Sequence, residues 1–117
     1  MTITLPYPPS ANRYWRTFNG RIVMSAEARA YKEGVALIAR AKGLRPSDGD
    51  VTLKLDVFRP QRRGDLDNRI KIVLDALQGV AYYDDKQVIE IHARRFDAGK
   101  DARVEVTILK AAPIVLR

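Results

Sequence analysis

Val51-Thr-Leu-Lys-Leu-Asp-Val57, followed beyond Pro60 by Asn68-Arg-Ile-Lys-Ile-Val-Leu-Asp-Ala-Leu-Gln-Gly79, decides the fold. In the first run apolar residues hold every second position, as a strand with one buried face requires, and Pro60 ends it. In the second, Ile70, Val73, Leu74 and Leu77 share one helical face and Gly79 supplies a stop, so the spacing predicts a helix over about 68–78. Downstream, Val88 to Phe96 and Arg103 to Lys110 read as two strands, joined by Asp97-Ala-Gly-Lys-Asp101 as a hairpin loop of several residues. Upstream, Ser25 is a suitable N-cap and Tyr31, Val35 and Ile38 repeat at helical spacing until Gly43, which predicts a helix over about 26–42. Before it, Asn19-Gly20 lies between Trp15-Arg-Thr-Phe18 and Arg21-Ile-Val-Met24, a strong hairpin-turn signal. Thr2 to Leu5 forms a short first strand that runs into the stiff segment Pro6-Tyr-Pro-Pro9. The order is strand, hairpin, helix, strand, helix, strand, strand. The expected architecture is therefore α+β (mixed α/β): a single mixed sheet of about four main strands covered by two helices, as one domain over residues 1–117.

Composition narrows the chemistry. The chain has 21 Lys and Arg against 14 Asp and Glu, a net charge of +7, which attracts polyanions and makes nucleic acid the leading partner class. It has no cysteine, so disulfides, thiolate nucleophiles and Cys-ligated zinc are excluded, and any metal is expected to be held by oxygen. His92 falls on a strand, where a structural role is expected. Met1-Thr-Ile-Thr-Leu-Pro has no basic segment followed by an apolar core, and no apolar run reaches the roughly 20 residues of a membrane span, so a cytoplasmic protein with no membrane partner is expected.

The acidic residues that matter stand on either side of the second helix. Asp65 and Asp67 lie two residues apart at its entry, where an extended backbone points both side chains to one side. Two carboxylates about 4 Å apart repel by up to roughly 4 kcal/mol at an effective dielectric of 20, which a cation, a shared proton or basic neighbours can relieve. Magnesium suits the first of these, taking oxygen ligands and keeping waters for a phosphate substrate. For an isolated Asp-x-Asp, a helix cap beside a solvated loop residue is the commoner outcome. Lys71 lies one helical turn after Asp67 and can share a phosphate with it, or form an ordinary surface ion pair. Asp84-Asp85 precedes the strand from Val88 and stands at its mouth, close to the sheet end where the second helix's loop can approach. Such a pair is also common in turns.

Arg59, Arg62 and Arg63 flank the first of these carboxylates and supply charge for phosphates, while Asn68 can contact a phosphate or begin the helix. Asn12-Arg-Tyr-Trp-Arg16 interleaves basic and aromatic groups, so Asn12, Arg13, Tyr14, Trp15 and Arg16 are candidates for backbone neutralisation and base stacking.

Pro6-Tyr-Pro-Pro-Ser-x-Asn-Arg-Tyr-Trp-Arg16, Ser25-Ala-Glu27, Arg62-Arg-Gly-Asp-Leu-Asp-Asn-x-x-Lys71, Asp75-Ala-Leu77 and Asp84-Asp-x-Gln-Val88 together form a pattern. In that order and spacing the chain resembles the RusA family of Holliday junction resolvases. The resemblance implies a homodimer that binds a four-way DNA junction and nicks two strands symmetrically. The cofactor would be Mg2+, with Mn2+ as a substitute. It places the essential carboxylates, as catalytic groups and metal ligands, on Asp65, Asp67 and Asp85, and the essential lysine on Lys71, with a lesser role for Asp84. Gly64 stands where relatives often carry another Arg. A bacterial or phage-infected cell, or a prophage, is the implied setting. A branched-DNA binder without cleavage and a metal-dependent phosphatase or nucleotide hydrolase are the alternatives. The basic-aromatic segment favours long DNA over a mononucleotide, and the intact acidic set favours an enzyme over a passive binder.

Overall fold

The computed structural model describes residues 1–60 and 66–111, without the side chains of Ala11, Asn12 and Asp67. The alternation read in the central strand organises it. In β4, Val51–Arg59, the residues Val51, Leu53, Leu55 and Val57 are buried on one face. This strand lies inside a four-stranded sheet of order β1-β6-β4-β5, where β1 is Thr2–Pro6, β5 is Val88–Asp97 and β6 is Arg103–Lys110. β6 runs antiparallel to both β1 and β4, and only β4 and β5 run parallel.

The helices cover the face that carries Ile3, Leu5, Leu53, Leu55, Val104 and Val106. α2, Ala26–Ala41, buries Ala28, Tyr31, Val35 and Ala39, a stripe at intervals of three and four residues. Its start is sealed by Ser25, whose hydroxyl oxygen accepts from the Ala28 N–H at 3.1 Å. Its end closes on Gly43 at φ +75°: the Gly43 N–H donates to the Arg40 carbonyl at 3.0 Å and the Leu44 N–H to Ala39 at 2.9 Å. This paired closure requires a left-handed residue, which only glycine adopts without cost. α3, Leu66–Leu77, buries Ile72, Val73, Ala76 and Leu77 against the same core.

A second, two-stranded sheet stands apart. β2, Trp15–Phe18, and β3, Arg21–Met24, pair from Trp15 opposite Met24 to Phe18 opposite Arg21. The turn residues Asn19 (φ 52°) and Gly20 (φ 75°) are both left-handed, the geometry that matches strand twist in a two-residue hairpin.

Two expectations change. The Asp97–Asp101 connection is not a hairpin loop, because β4 lies between β5 and β6. The chain instead arches over the end of β4 through a 3-10 turn, Gly99–Asp101, held where the Ala98 N–H donates to the Arg59 carbonyl at 3.0 Å. Strands two apart in a sheet lie roughly 10 Å from each other, which a tight turn cannot span. Second, α3 begins at Leu66, so Asp67 stands inside its first turn rather than in an extended entry.

Candidate active site

The polar residues at issue are positioned by three pieces of chain: the segment from Pro6 to Arg16, α3, and the turn before β5. α1, Ala11–Tyr14, is a single helical turn. It is fixed from behind by Ser25, whose N–H donates to the Tyr14 carbonyl at 2.9 Å and whose hydroxyl donates to the Arg13 carbonyl at 2.6 Å.

Tyr14 is fully buried, with its hydroxyl donating to Asp75 on α3 and its ring meeting Trp15 edge-on at 5.0 Å. Tyr14 is therefore unavailable to DNA, against the expectation from its basic and aromatic neighbours. It is instead the bolt that holds the basic segment to α3. Lys32 of α2 completes this junction, its Nζ lying 3.9 Å from the Asp75 carboxylate. Arg13, Trp15 and Arg16 do face solvent, with Trp15 45% exposed. The side chain of Asn12 lies outside the described residues.

On α3, Lys71 is exposed and Asn68 is half-buried. Arg62, Arg63 and Asp65 lie outside the described residues, as does the side chain of Asp67. Arg59 is drawn into an ion pair with Asp97, its neighbour across the β4–β5 register, and its charge is thereby partly neutralised. His92 stands exposed on β5 beside Glu90.

The turn before β5 is the best-defined acidic element. Asp85–Gln87 forms a 3-10 turn capped by Asp84, whose Oδ1 accepts from the Lys86 N–H at 2.9 Å. That N–H, helped by a hydrogen bond with Asp85, holds the Asp84 carboxyl below its ordinary pKa. Gln87 answers from the other side. Its Oε1 accepts from the N–H groups of Tyr83 at 2.8 Å and Asp84 at 3.0 Å, and its Nε2 donates to the carbonyls of Ser47 at 2.7 Å and Gly49 at 2.8 Å. Asp84 thus caps the backbone of the turn that carries Asp85.

The sheet register fixes which end of the sheet carries this turn. β4 and β5 are parallel with Val51 opposite Val88 and Arg59 opposite Asp97, so Asp85, which precedes β5, belongs to the end of the sheet where β4 begins, and α3 follows the other end. α3 runs back between these ends. Tyr82, which senses the charge of Asp85, donates its hydroxyl to the Leu74 carbonyl at 2.6 Å. Position 74 lies roughly 10 Å along the helix axis from position 67. Among the described residues no three acidic or histidine side chains gather into a metal-holding group.

Sequence reasoning missed the positioning roles of three residues, Asp84, Gln87 and Asp75. Asp84 and Gln87 have the spacing of a capping box, a local signal that was available. Asp75 has no local signal, because its partner Tyr14 is 61 residues away. Removing the Gln87 amide in Gln87→Ala is expected to cost about 1–3 kcal/mol, since four backbone groups lose a partner and are only partly recovered by water. Guanidinium unfolding of the variant against wild type measures this, and a change below ~0.5 kcal/mol would show that the turn stands without it.

Comparison with protein families matches residues 6–109 to Endodeoxyribonuclease RusA. The crossover junction endodeoxyribonuclease RusA of Escherichia coli K12 is 39% identical over 110 residues, covering 92% of each chain. The enzyme of that name from Enterobacteria phage 82 is 39% identical over 109 residues and covers 91% of each, and that of Shigella sonnei is 38% identical over 110 residues and covers 92%. The matched span runs through the segment from Pro6 to Arg16, the whole of α3 and the capped acidic turn, and on these grounds the chain belongs to the RusA family of endodeoxyribonucleases.

Proposed function

We propose that this chain is a divalent-metal-dependent endonuclease that cuts four-way crossover junctions in DNA by paired symmetric nicks. The observation that carries the reading is the family match from residue 6 to 109, which takes in every element bearing a candidate catalytic group. A junction has two-fold symmetry, and two nicks placed symmetrically on it call for two active sites. A homodimer supplies them.

The donor chemistry fits a hard cation. Asp85 is exposed, and its neighbour Asp84 satisfies the backbone of the turn so that Asp85 need not. Asp65, Asp67 and Asp85 would hold Mg2+, with Mn2+ as a substitute, and these three carboxylates together with Lys71 form the proposed catalytic set. When bound, the metal polarises the scissile phosphate and lowers the pKa of a water that attacks it. Lys71, exposed on α3, is assigned to stabilise the charge that develops on the phosphate oxygens. Arg13, Trp15 and Arg16 offer exposed phosphate and stacking contacts, and Arg62, Arg63, Asn12 and Asn68 are assigned to the same DNA surface. Arg59 contributes less, because Asp97 already neutralises it. Among the described residues no helix is long and apolar enough to cross a membrane. The proposed setting is the DNA of a bacterial or phage-infected cell, and the phage 82 relative accords with a phage or prophage source.

Incubation of the protein with immobile and mobile four-way junctions in Mg2+, with linear duplex as control, tests this. Symmetric paired nicks on the junctions are expected, and they should vanish with a chelator. Equal cutting of linear duplex would overturn junction selectivity, and tight junction binding without any nick would establish a binding protein instead.

A further inference from the structure

The strap between β1 and α1 builds a groove that none of the proposed catalytic residues uses. Pro6, Tyr7, Pro8, Arg13, Tyr31 and Arg69 are among the residues that line it, and it encloses about 650 Å³. That is ample for a nucleotide, since small-molecule sites span roughly 300–1,000 Å³. The strap is held rigidly. The Tyr31 hydroxyl donates to the Pro6 carbonyl at 2.8 Å, and Arg69 Nη1 donates to the Pro8 carbonyl at 3.1 Å.

Arg69 and Tyr7 form a stacked pair, the guanidinium lying 4.9 Å from the ring centroid. The Arg69 side chain is half-buried against the strap, so the guanidinium is held in place rather than free to swing. The hydroxyl of Ser10, also on the wall, makes no capping bond to α1. At Arg13 and Glu27 the groove meets a second one of about 450 Å³ that contains Arg16. The result is a flat aromatic-guanidinium surface in a cleft, with two exposed arginines leading away from it, on a helix where Arg69 follows Asp67 by two residues.

We propose that this groove takes one unpaired base of the branched DNA, stacked on the Tyr7–Arg69 pair, with the adjoining phosphates led along Arg13 and Arg16. The inference rests on the junction-cutting function proposed above. A base has two apolar faces and polar edges, which suits a groove of Pro and Tyr surface rimmed by Ser10, Arg69 and Glu27. A paired base must be unstacked at a cost of a few kcal/mol before it can enter, whereas a branch point offers bases already partly freed, so the groove distinguishes branched from linear DNA. An acidic peptide would be drawn by the same arginines, but its carboxylate side chains have no flat apolar face to set against the Tyr7–Arg69 pair.

The test places 2-aminopurine at the exchange point of a junction and measures its emission on binding, with chelator present so that no strand is cut. Wild type is expected to change the emission as the base leaves its neighbours and stacks in the groove. Tyr7→Ala is expected to abolish this change and raise the junction Kd about five- to hundred-fold, with the Kd for linear duplex unaltered, while Tyr7→Phe behaves as wild type. If circular dichroism shows Tyr7→Ala unfolded, Tyr7→Leu serves, since it fills the space without a ring. A folded Tyr7 variant that lacks the ring yet gives the wild-type emission and junction affinity overturns the groove as a base site, and leaves the nuclease function standing if wild type still nicks junctions. Failure of wild type to bind or nick any junction overturns both.

Discussion

Asp67→Asn is expected to lower junction cutting by about 10³-fold or more while leaving junction affinity within a few-fold of wild type. The asymmetry follows from what the carboxylate is assigned to do. Amide for carboxylate removes a full negative charge from the proposed metal site, and neutral oxygen is a far weaker ligand for a hard cation. Docking on DNA, in contrast, is carried by basic side chains spread over the surface of a chain with net charge +7, and one lost anion does not weaken it. The fold should tolerate the change. Asp67 is in the first turn of α3, where a carboxylate gains about 0.3–1 kcal/mol from the helix dipole, and the helix is anchored by Ile72, Val73, Ala76 and Leu77 in the core. Nicking assays and gel-shift titrations on the same junction, with thermal unfolding of the variant beside them, measure all three quantities. A variant that loses cutting, binding and cooperative unfolding together would assign Asp67 to holding up the helix end, and one that still cuts would remove it from the catalytic set.

Local signals in the chain were legible because each is answered by its own neighbours. Asn19-Gly20 makes its turn, Ser25 caps α2, Gly43 closes it, and the alternation from Val51 buries alternate side chains. Strand order was not legible, because an alternating strand states which face is buried and not which strand lies beside it. β6 goes between β1 and β4, and β5 takes the far edge, so a short connection that looks like a hairpin loop became an arch over β4. The sheet end to which Asp84-Asp85 belongs was likewise not legible, since only the parallel β4–β5 register sets it beside the start of β4. Tyr14 shows the limit for a single side chain. Its neighbours Arg13, Trp15 and Arg16 make it look like part of a DNA surface, yet a carboxylate 61 residues away draws it inward. The candidate site was legible as a set of residue types and spacings, and its assembly in space was not.

Folding stability is expected to hold up to about pH 10 and then fall steeply, by about 4 kcal/mol at pH 11 from three tyrosines alone. Tyr14, Tyr31 and Tyr82 are all buried, and burial is the first cause that raises the pKa of each; Asp75 adds to the effect at Tyr14, and Asp85 and Asp75 add to it at Tyr82. Each hydroxyl donates to an oxygen, Tyr14 to Asp75, Tyr31 to the Pro6 carbonyl and Tyr82 to the Leu74 carbonyl, so a phenolate would lose its bond and face a repelling acceptor. The sign follows from linkage. With the folded pKa raised above the unfolded value of 10.0, the contribution is complete below pH 10 and is lost as pH rises toward the folded value, because only the unfolded chain gives up these protons. Each group then removes about 1.4 kcal/mol per pH unit, and a domain with about 5–15 kcal/mol of total stability cannot lose three such contributions for long. Guanidinium unfolding between pH 7 and 11.5, with phenolate absorbance followed on the same samples, measures both halves of the linkage. Tyr31→Phe should flatten the decline by about one third, since Phe keeps the packing and has no proton to lose. A stability curve that is flat through pH 11, or phenolate absorbance from all five tyrosines appearing while the chain is still folded, would show that these hydroxyls are not held in their neutral form by the core.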